Sequence, residues 1–442
     1  MTRQPDINVG IIDRRPEISG CLHGDFRTEA FGPVSGVFSA KASAGMIVLT
    51  DAGGAEWGRS PSLRLVCPEG KFFELFQVTI GQQFHWERKE NQTFQGDLIL
   101  QVRSDGTMAV INEIPLEDYL KSVISSEMNA AAPAEFLKAH AILSRSWLMA
   151  ALERKARGRS ASPARRPAAN AEETIRWYDR EDHDLYDVCA DDHCQRYQGI
   201  GKVISAQAEE AVRETLGTVI RHQEEICDAR YSKACGGITE DFATAWEEKK
   251  VPYLSAVSDA SKPYRPIGTE EEAASWVLSA PQAYCNVKER KILDRILPSF
   301  DRETQNFFRW TVRYSREELE DILRVKSGFD FGRLENILPL RRGPSGRISL
   351  LKIVGSKKTA VVGKELEIRR WLSRTHLFSS AFIVTVQLGI CGKAERFTLH
   401  GAGWGHGVGL CQIGAAAMAA RGFSAEAILK HYFQGVTLDK VY

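Results

Sequence analysis

The sequence has no excess of charge of either sign: 58 Lys and Arg residues stand against 57 Asp and Glu residues, and the formal net charge is +1. This balance gives no general field that would draw in nucleic acid or an anionic membrane, so we expect no nucleic-acid partner. Long apolar runs are also missing, because charges occur throughout the opening segment and no later stretch approaches the roughly 20 apolar residues of a membrane span. We therefore expect no transmembrane segment and a chain that, as written, is neither exported nor anchored.

Cysteine is present without the arrangement of a disulfide framework. There are nine cysteines, and an odd number spread over the chain argues against complete pairing. Cys189 and Cys194 stand close together and are better explained as metal ligands.

The chain of 442 residues is too long for one ordinary hydrophobic core, so we expect more than one packed lobe. An apolar content of 43% with 26% charged residues is typical of a soluble globular protein.

The spacing of apolar residues changes along the chain. Short β-branched and aromatic runs between Gly and Asp turns predict successive strands up to about residue 115. Helical spacing begins at 116–127 and recurs from about 133 to 153, in three amphipathic segments of the 269–335 region, and in two helices after residue 411. We predict an α+β fold with four parts: a β-rich N-terminal lobe (1–100), a mixed core with short helices (101–268), a helical insertion (269–335) and a C-terminal part of the core (336–442).

Glu127 is unusual within its predicted helix, because Val123 and Ile124 precede it on the same apolar face. Loss of hydration there should raise the pKa of its carboxyl group, which is what a general acid/base requires. A capped or salt-bridged glutamate is the alternative. Arg145 lies beside the apolar face of the second helix and needs an anion; it could orient Glu127, contact substrate, or form a structural ion pair with any carboxylate.

Two histidines and two cysteines occur within twelve residues, namely His183, Cys189, His193 and Cys194. Such ligands in a short loop favour tetrahedral Zn²⁺. Because all four side chains would be used, no position remains for a catalytic water, and a structural role is predicted. Buried thiols with unrelated histidines are the alternative.

Tyr231 and Lys233 are two residues apart in a strand-like run, so they would face the same side. They could form a polar catalytic wall, although an exposed end of a strand has the same pattern.

The basic residues within 154–169 stand among Ser, Pro and Gly, and this composition predicts a solvated loop rather than a segment that contacts an anionic polymer.

A glycine-rich segment follows near the C-terminus, with Gly at every second position from 401 to 409. Missing side chains there make room for a bulky partner such as a sugar, while tight backbone packing at a junction of strand and helix is the alternative. The spacing matches neither a phosphate loop nor a dinucleotide fingerprint. The candidate substrate-binding residues are Gly403, Trp404, Gly405, His406, Gly407 and Gln412.

Taken together, these segments resemble the SpoIID/LytB family of sporulation stage II protein D lytic transglycosylases and amidase enhancers. The resemblance lies mainly in residues 100–260 and 336–442. It rests on six blocks that keep the family order: IPLEDYLKSVISSEM (114–128), LKAHAILSRSW (137–147), HDLYDVCADDHCQRYQG (183–199), YSKACGG (231–237), RGPSGR (342–347) and GWGHGVGLCQIGA (403–415).

The resemblance implies roles for several residues. It makes Glu127 the catalytic acid/base and adds Arg145, Tyr231 and Lys233 to the catalytic set, with zinc at the His/Cys cluster. Cys235 departs from the family pattern, which usually has Ser there. The family also implies a place in the cell envelope, whereas the missing export signal leaves two alternatives, a processed or trimmed sequence or a member that stays inside the cell.

The predicted activity is cleavage of the MurNAc–GlcNAc bond of peptidoglycan without water, which leaves 1,6-anhydroMurNAc ends. Ordinary glycosidases use two carboxylates, and the sequence reveals one well-placed acid. The expected partners are glycan strands, with or without their stem peptides, and a cell-wall amidase. A non-catalytic enhancer of that amidase is the alternative, and a zinc hydrolase is a weaker one.

Overall fold

The computed structural model describes residues 3–81, 87–158, 172–178, 183–191, 193–203, 205–298, 301 and 306–442. Of the predicted basic loop, the part from residue 159 onward lies outside these ranges. Among the described residues, 26% are helical and 37% lie in strands, which confirms the α+β class. No helix within these ranges is both long and apolar enough to cross a membrane.

The chain up to residue 115 is built from strands, as the alternating pattern predicts. One sheet has the order β5-β4-β3-β2-β7-β8, and β1, β10, β9 and β6 are neighbours in a second sheet. Apolar residues on the inner faces of both sheets join one large hydrophobic cluster, the first core. The strands are β1 (Asp6–Arg15), β2 (Glu17–Thr28), β3 (Gly32–Ser43), β4 (Met46–Asp51), β5 (Glu56–Ser60), β6 (Ser62–Leu65), β7 (Phe72–Ile80), β8 (Arg88–Phe94), β9 (Asp97–Val102) and β10 (Met108–Pro115).

Two helices follow directly and pack in the first core: α1 (Leu116–Glu127) and α2 (Ala134–Ala156). Each is preceded by a proline whose fixed φ suits entry into a helix. The next elements are short: β11 (Glu173–Ile175), β12 (Val188–Cys189), α3 (Ala206–Glu214), β13 (Thr218–His222), β14 (Glu225–Ile226), β15 (Tyr231–Ser232) and α4 (Phe242–Ala245).

The next region contains the three predicted amphipathic helices, but it is not wholly helical. A strand of alternating residues, RWTVRYS, lies between the second and third helix and pairs along its length with a strand near residue 400. The part of this region from residue 309 onward builds a second hydrophobic cluster, the second core, whereas Ile296 of the second helix belongs to the first core. The elements of the region are α5 (Glu270–Leu278), α6 (Arg290–Ile296), β16 (Arg309–Ser315), α7 (Arg316–Ser327), β17 (Leu334–Arg342), β18 (Ile348–Gly355), β19 (Thr359–Gly363), α8 (Glu365–Trp371), β20 (Phe382–Leu388) and β21 (Ala394–Ala402).

The chain then returns to the first core through β22 (Leu410–Cys411), α9 (Gln412–Ala420), α10 (Ala425–Tyr432) and β23 (Thr437–Lys440). Strand β22 pairs in parallel with β15, and β23 pairs with β13. The pairing of β15 with β22 brings the YSKACGG block beside the GLCQ segment. Both C-terminal helices were predicted, and the side chain of Ser424 caps the N-terminus of α10.

Candidate active site

A cleft of about 710 Å³ opens between the first and second cores. Glu127, Tyr231 and Trp404 line it from the first core, and Tyr314 and Leu377 line it from the second. Aromatic rings are frequent in its wall, and they offer flat apolar faces on which a sugar ring can stack. The further aromatic residues in the wall are Trp147, Tyr178, Trp246 and Phe378.

Glu127 lies at the C-terminal end of α1 and is 8% exposed. Its Oε1 accepts hydrogen bonds from the Tyr231 hydroxyl (2.9 Å) and from the Arg196 amide (3.0 Å). The side-chain amide of Gln412 lies 3.4 Å from Oε2 and 3.1 Å from Nε2 of His140. A buried carboxylate is thus held by fixed donors and still borders the cleft.

These contacts decide the protonation of Glu127. Burial disfavours its charge, but the positive charge of Arg196, the Arg196 amide and the charge of Lys233 outweigh burial and lower the pKa of Glu127 below its ordinary value. The prediction that the pKa is raised is wrong in direction, because helical periodicity reveals burial and gives no information about partners from distant segments. Burial also lowers the pKa of His140, to about 4, so its ring is neutral.

Lys233 directly follows β15 and extends to the same side as Tyr231, as the spacing of the two residues predicts. Its ammonium group donates to the backbone oxygen of Glu127 (3.1 Å) and forms an ion pair with Asp301 (2.9 Å). Asp301 and Glu365 also line the cleft. These two carboxyl groups were not predicted from the sequence, because neither residue lies in a recognisable motif.

Arg145 does not contact Glu127. Its guanidinium group is fully buried, makes a bidentate ion pair with Glu117 at 2.6 and 2.8 Å, and donates to the backbone oxygen of Thr218. The structural ion pair is thus the alternative that fits, and Arg145 is not among the residues that line the cleft. Arg196 stands beside Glu127 instead. Its one signal in the sequence is its position two residues after Cys194.

The glycine-rich segment divides between two roles. Trp404, Gly405, His406 and Gln412 line the cleft, and the ring of Trp404 stacks on Phe378 with 4.2 Å between centroids. Gly403 and Gly407 do not line it. Both have positive φ, and a Cβ atom would meet a backbone oxygen at 2.7 Å at Gly403 and the Arg347 guanidinium group at 2.4 Å at Gly407. Backbone packing, rather than room for a partner, explains these two glycines.

The predicted metal ligands converge. One ligand atom from each of His183, Cys189, His193 and Cys194 lies within 4.8 Å of the others. Nε2 of His183 is 3.3 Å and Nδ1 of His193 is 3.4 Å from Sγ of Cys194. Tetrahedral bonds of 2.0–2.3 Å to zinc give separations of about 3.3–3.8 Å between ligand atoms, so the cluster fits the ion. His193 and Cys194 also border the cleft.

The fold and the site define an α+β protein with two hydrophobic cores and a buried acid that borders an aromatic cleft between them. Residues 104–222 match a family described as stage II sporulation protein, and residues 240–409 match one described as a domain of unknown function, DUF8618. These matches and the curated relatives support the assignment to the SpoIID/LytB family that the motifs indicate, and they support a role related to the cell wall.

Three curated relatives are informative. The amidase enhancer of Bacillus subtilis (strain 168) is 25% identical over 255 residues, which cover 53% of this chain and 33% of the enhancer. The stage II sporulation protein D of Bacillus amyloliquefaciens is 24% identical over 333 residues, and that of B. subtilis (strain 168) is 23% identical over 339. Both alignments cover 75% of this chain and 76% of the relative. The chain thus spans a third of the enhancer's length.

Proposed function

We propose that this protein is a lytic transglycosylase that cleaves the bond between MurNAc and GlcNAc in peptidoglycan and leaves 1,6-anhydroMurNAc ends. The observation that carries the proposal is the placement of Glu127, a buried carboxyl group that borders the cleft and is held by Tyr231, the Arg196 amide and Gln412. A group with fixed geometry and one face toward substrate space is suited to proton transfer.

The reaction needs one group to act twice. Glu127 gives its proton to the leaving oxygen as the glycosidic bond breaks, and then takes the proton of the C6 hydroxyl as that oxygen bonds to C1. The proton lost is thereby regained, and no water is consumed. A second carboxylate is needed as nucleophile or base when water or the enzyme attacks C1; here the C6 hydroxyl of the substrate itself attacks.

The lowered pKa of Glu127 favours its charged form in the free protein, whereas the first step requires the acid. A sugar in the cleft expels water, and this further loss of hydration raises the pKa of Glu127. Consequently kcat/KM falls as the pH rises through the pKa of the free protein, and the corresponding fall in kcat lies at higher pH. Equal positions of the two limbs would contradict this account.

Other residues position the sugar and the acid. Tyr231 and Gln412 hold the Glu127 carboxylate, Lys233 fixes the end of α1, and the Trp404 ring offers a stacking surface. Zn²⁺ held by His183, Cys189, His193 and Cys194 would have a structural role, because its four ligands leave no position for a water. It would fix the loop that carries Arg196 to Glu127.

A non-catalytic enhancer of a cell-wall amidase is the second candidate. It is favoured by one observation, the similarity of 53% of the chain to a protein named amidase enhancer. The same cleft would then bind glycan without any change of protonation at Glu127, and the amidase would be the partner.

Analysis of glycan ends separates the two candidates. Peptidoglycan strands, both intact and freed of stem peptides, are incubated with the wild-type chain, Glu127→Gln and Asp301→Asn, and the ends are identified by mass spectrometry. The transglycosylase predicts anhydro ends with wild type and Asp301→Asn and none with Glu127→Gln. No cleavage by wild type, together with stimulation of an added amidase by all three proteins, would establish the enhancer.

A further inference from the structure

A second group of side chains that could hold a metal ion is separate from the His/Cys loop and from the residues that line the cleft. Cys235, Asp259, Cys285 and Cys411 are all buried, and one ligand atom from each lies within 4.8 Å of the others. They are far apart in sequence, so their approach is a property of the fold. Neither the proposed acid/base chemistry nor the proposed zinc loop uses them.

The spacing of the sulfur atoms fits one bound ion. Sγ of Cys235 and Sγ of Cys285 are 3.7 Å apart. Two sulfurs that share a tetrahedral zinc ion through bonds of about 2.3 Å stand roughly 3.8 Å apart, whereas the sulfurs of a disulfide are about 2.0 Å apart. Three thiol groups and one carboxyl group form a complete tetrahedral set.

The groups around the cluster are arranged as they are around bound metal ions. Two backbone amides donate to one of the sulfurs: that of Cys235 lies 3.2 Å and that of Gly414 3.4 Å from Sγ of Cys411. Asp259 accepts hydrogen bonds from the Tyr432 hydroxyl (2.6 Å) and from the Cys285 amide (2.9 Å), which fix its orientation. Such donors stabilise thiolate charge and orient ligands in metal sites.

Close packing preserves this geometry. A Cβ atom on Gly414 would lie 2.4 Å from Oδ1 of Asp259 and 2.5 Å from the Tyr432 hydroxyl, so only glycine lets α9 approach the carboxyl group. Within the described part of the chain, no basic side chain forms an ion pair with Asp259. A buried carboxylate without a cation is costly, and a bound divalent ion would supply the missing positive charge.

We propose that Cys235, Asp259, Cys285 and Cys411 form a second structural site for a thiolate-binding divalent metal ion, with Zn²⁺ as its probe. The ion ties the segment that carries Cys285 to the paired strands β15 and β22 of the first core. Tyr231 lies in β15 and Lys233 directly after it, shortly before Cys235, while Gln412 begins α9 directly after Cys411. The site therefore holds the framework on which these three residues approach Glu127.

The number of bound zinc ions tests the proposal. The full chain is reduced, stripped of metal with a chelator, reloaded with Zn²⁺ and analysed by plasma mass spectrometry. The variant Cys189→Ser/Cys194→Ser, which loses only the thiols of the loop, is expected to keep about one equivalent. Adding Cys285→Ser to it should remove that equivalent, whereas adding Cys391→Ser, at an exposed cysteine, should not.

A variant that fails to fold would lose zinc whether or not the mutated residue is a ligand. A second measurement therefore uses a variant in which the four residues of the new site are unchanged. X-ray absorption at the zinc edge of Cys189→Ser/Cys194→Ser should show three sulfur ligands and one oxygen or nitrogen ligand. Absence of zinc from this variant while it remains folded, or a spectrum without sulfur ligands, would overturn the proposal. A disulfide between Cys235 and Cys285 in the reduced, reloaded protein would overturn it as well.

Discussion

Two glutamates at opposite ends of α1 show how position determines what a buried acid does. Glu117 and Glu127 are 6% and 8% exposed, so burial does not distinguish them. Glu117 faces the interior and is neutralised by the bidentate guanidinium group of Arg145. Glu127 borders the cleft, where Tyr231 and the Arg196 amide hold its carboxylate by single hydrogen bonds.

The difference lies in access and in the kind of partner. An ion pair that is buried on all sides keeps both groups charged and contributes to the fold. A carboxylate with one side toward the substrate can instead exchange its proton. The two ends of α1 should therefore respond differently to the same chemical change, Glu to Gln.

The largest effect is expected at Glu127. Replacement by Gln keeps the shape and removes the titrating group, so the rate of anhydro-end formation should fall by about 10²–10⁴. The urea midpoint of unfolding should change little. The rate is followed by chromatography of released fragments, with circular dichroism as the check on folding. Retention of half the wild-type rate would show that the acid lies elsewhere.

The opposite end of the helix should give the opposite result. Glu117→Gln leaves the buried Arg145 guanidinium group without its anion, and the free energy of unfolding should drop by about 3–5 kcal/mol. Activity per folded molecule should persist. Urea unfolding of Glu117→Gln, Arg145→Met and the double variant should show losses that are not additive, because both single changes break one pair. A stable but inactive Glu117→Gln would reverse the assignment of the two glutamates.

His140 gives a smaller effect that depends on pH. Its pKa is about 4 in the folded chain against an ordinary 6.5, so the unfolded chain takes up a proton first as the pH falls. Stability is thus lost between about pH 6.5 and pH 4, by up to about 3 kcal/mol. Urea unfolding across this range should show a flatter profile for His140→Gln than for wild type. Parallel profiles would mean that the ring is not held neutral.

The smallest effect concerns the hydroxyl of Tyr231. Tyr231→Phe removes one hydrogen bond to the Glu127 carboxylate, worth about 1.5–3 kcal/mol when the acceptor is charged. The carboxylate is then less stabilised, so the pKa of Glu127 rises and the fall of kcat/KM moves to higher pH. A loss of rate without a shift of the pH profile would make Tyr231 a group that contacts substrate rather than one that positions Glu127.

Local patterns in the sequence were sufficient for the elements around the site. Helical spacing gave both bounds of α1. The separation of Tyr231 from Lys233 predicted that both face the same side, and both contact Glu127 in the structure. The resemblance to the SpoIID/LytB family identified the blocks that form the cleft. These features depend on periods of two and 3.6 residues, which neighbouring positions encode.

Contacts between residues that are far apart in the sequence could not be predicted in the same way. The anion beside Arg145 and the donor beside Glu127 are set by packing, and no local pattern distinguishes Glu117 from Glu127 as the partner. Strand β16, between two helical segments, was not predicted, because its partner β21 lies some 85 residues further along the chain. Cys285 likewise gave no signal, since it meets Cys235 and Cys411 only in three dimensions.

We propose that the chain cuts glycan without water, and digestion in water labelled with oxygen-18 tests this proposal most directly. Peptide-free strands are digested in water enriched in oxygen-18, and the new ends are analysed by mass spectrometry. The account predicts anhydro ends that contain no label, formed by wild type and absent with Glu127→Gln. Reducing ends that carry one labelled oxygen would contradict it and would identify a hydrolase, for which Asp301 and Glu365 are the candidate second carboxyl groups.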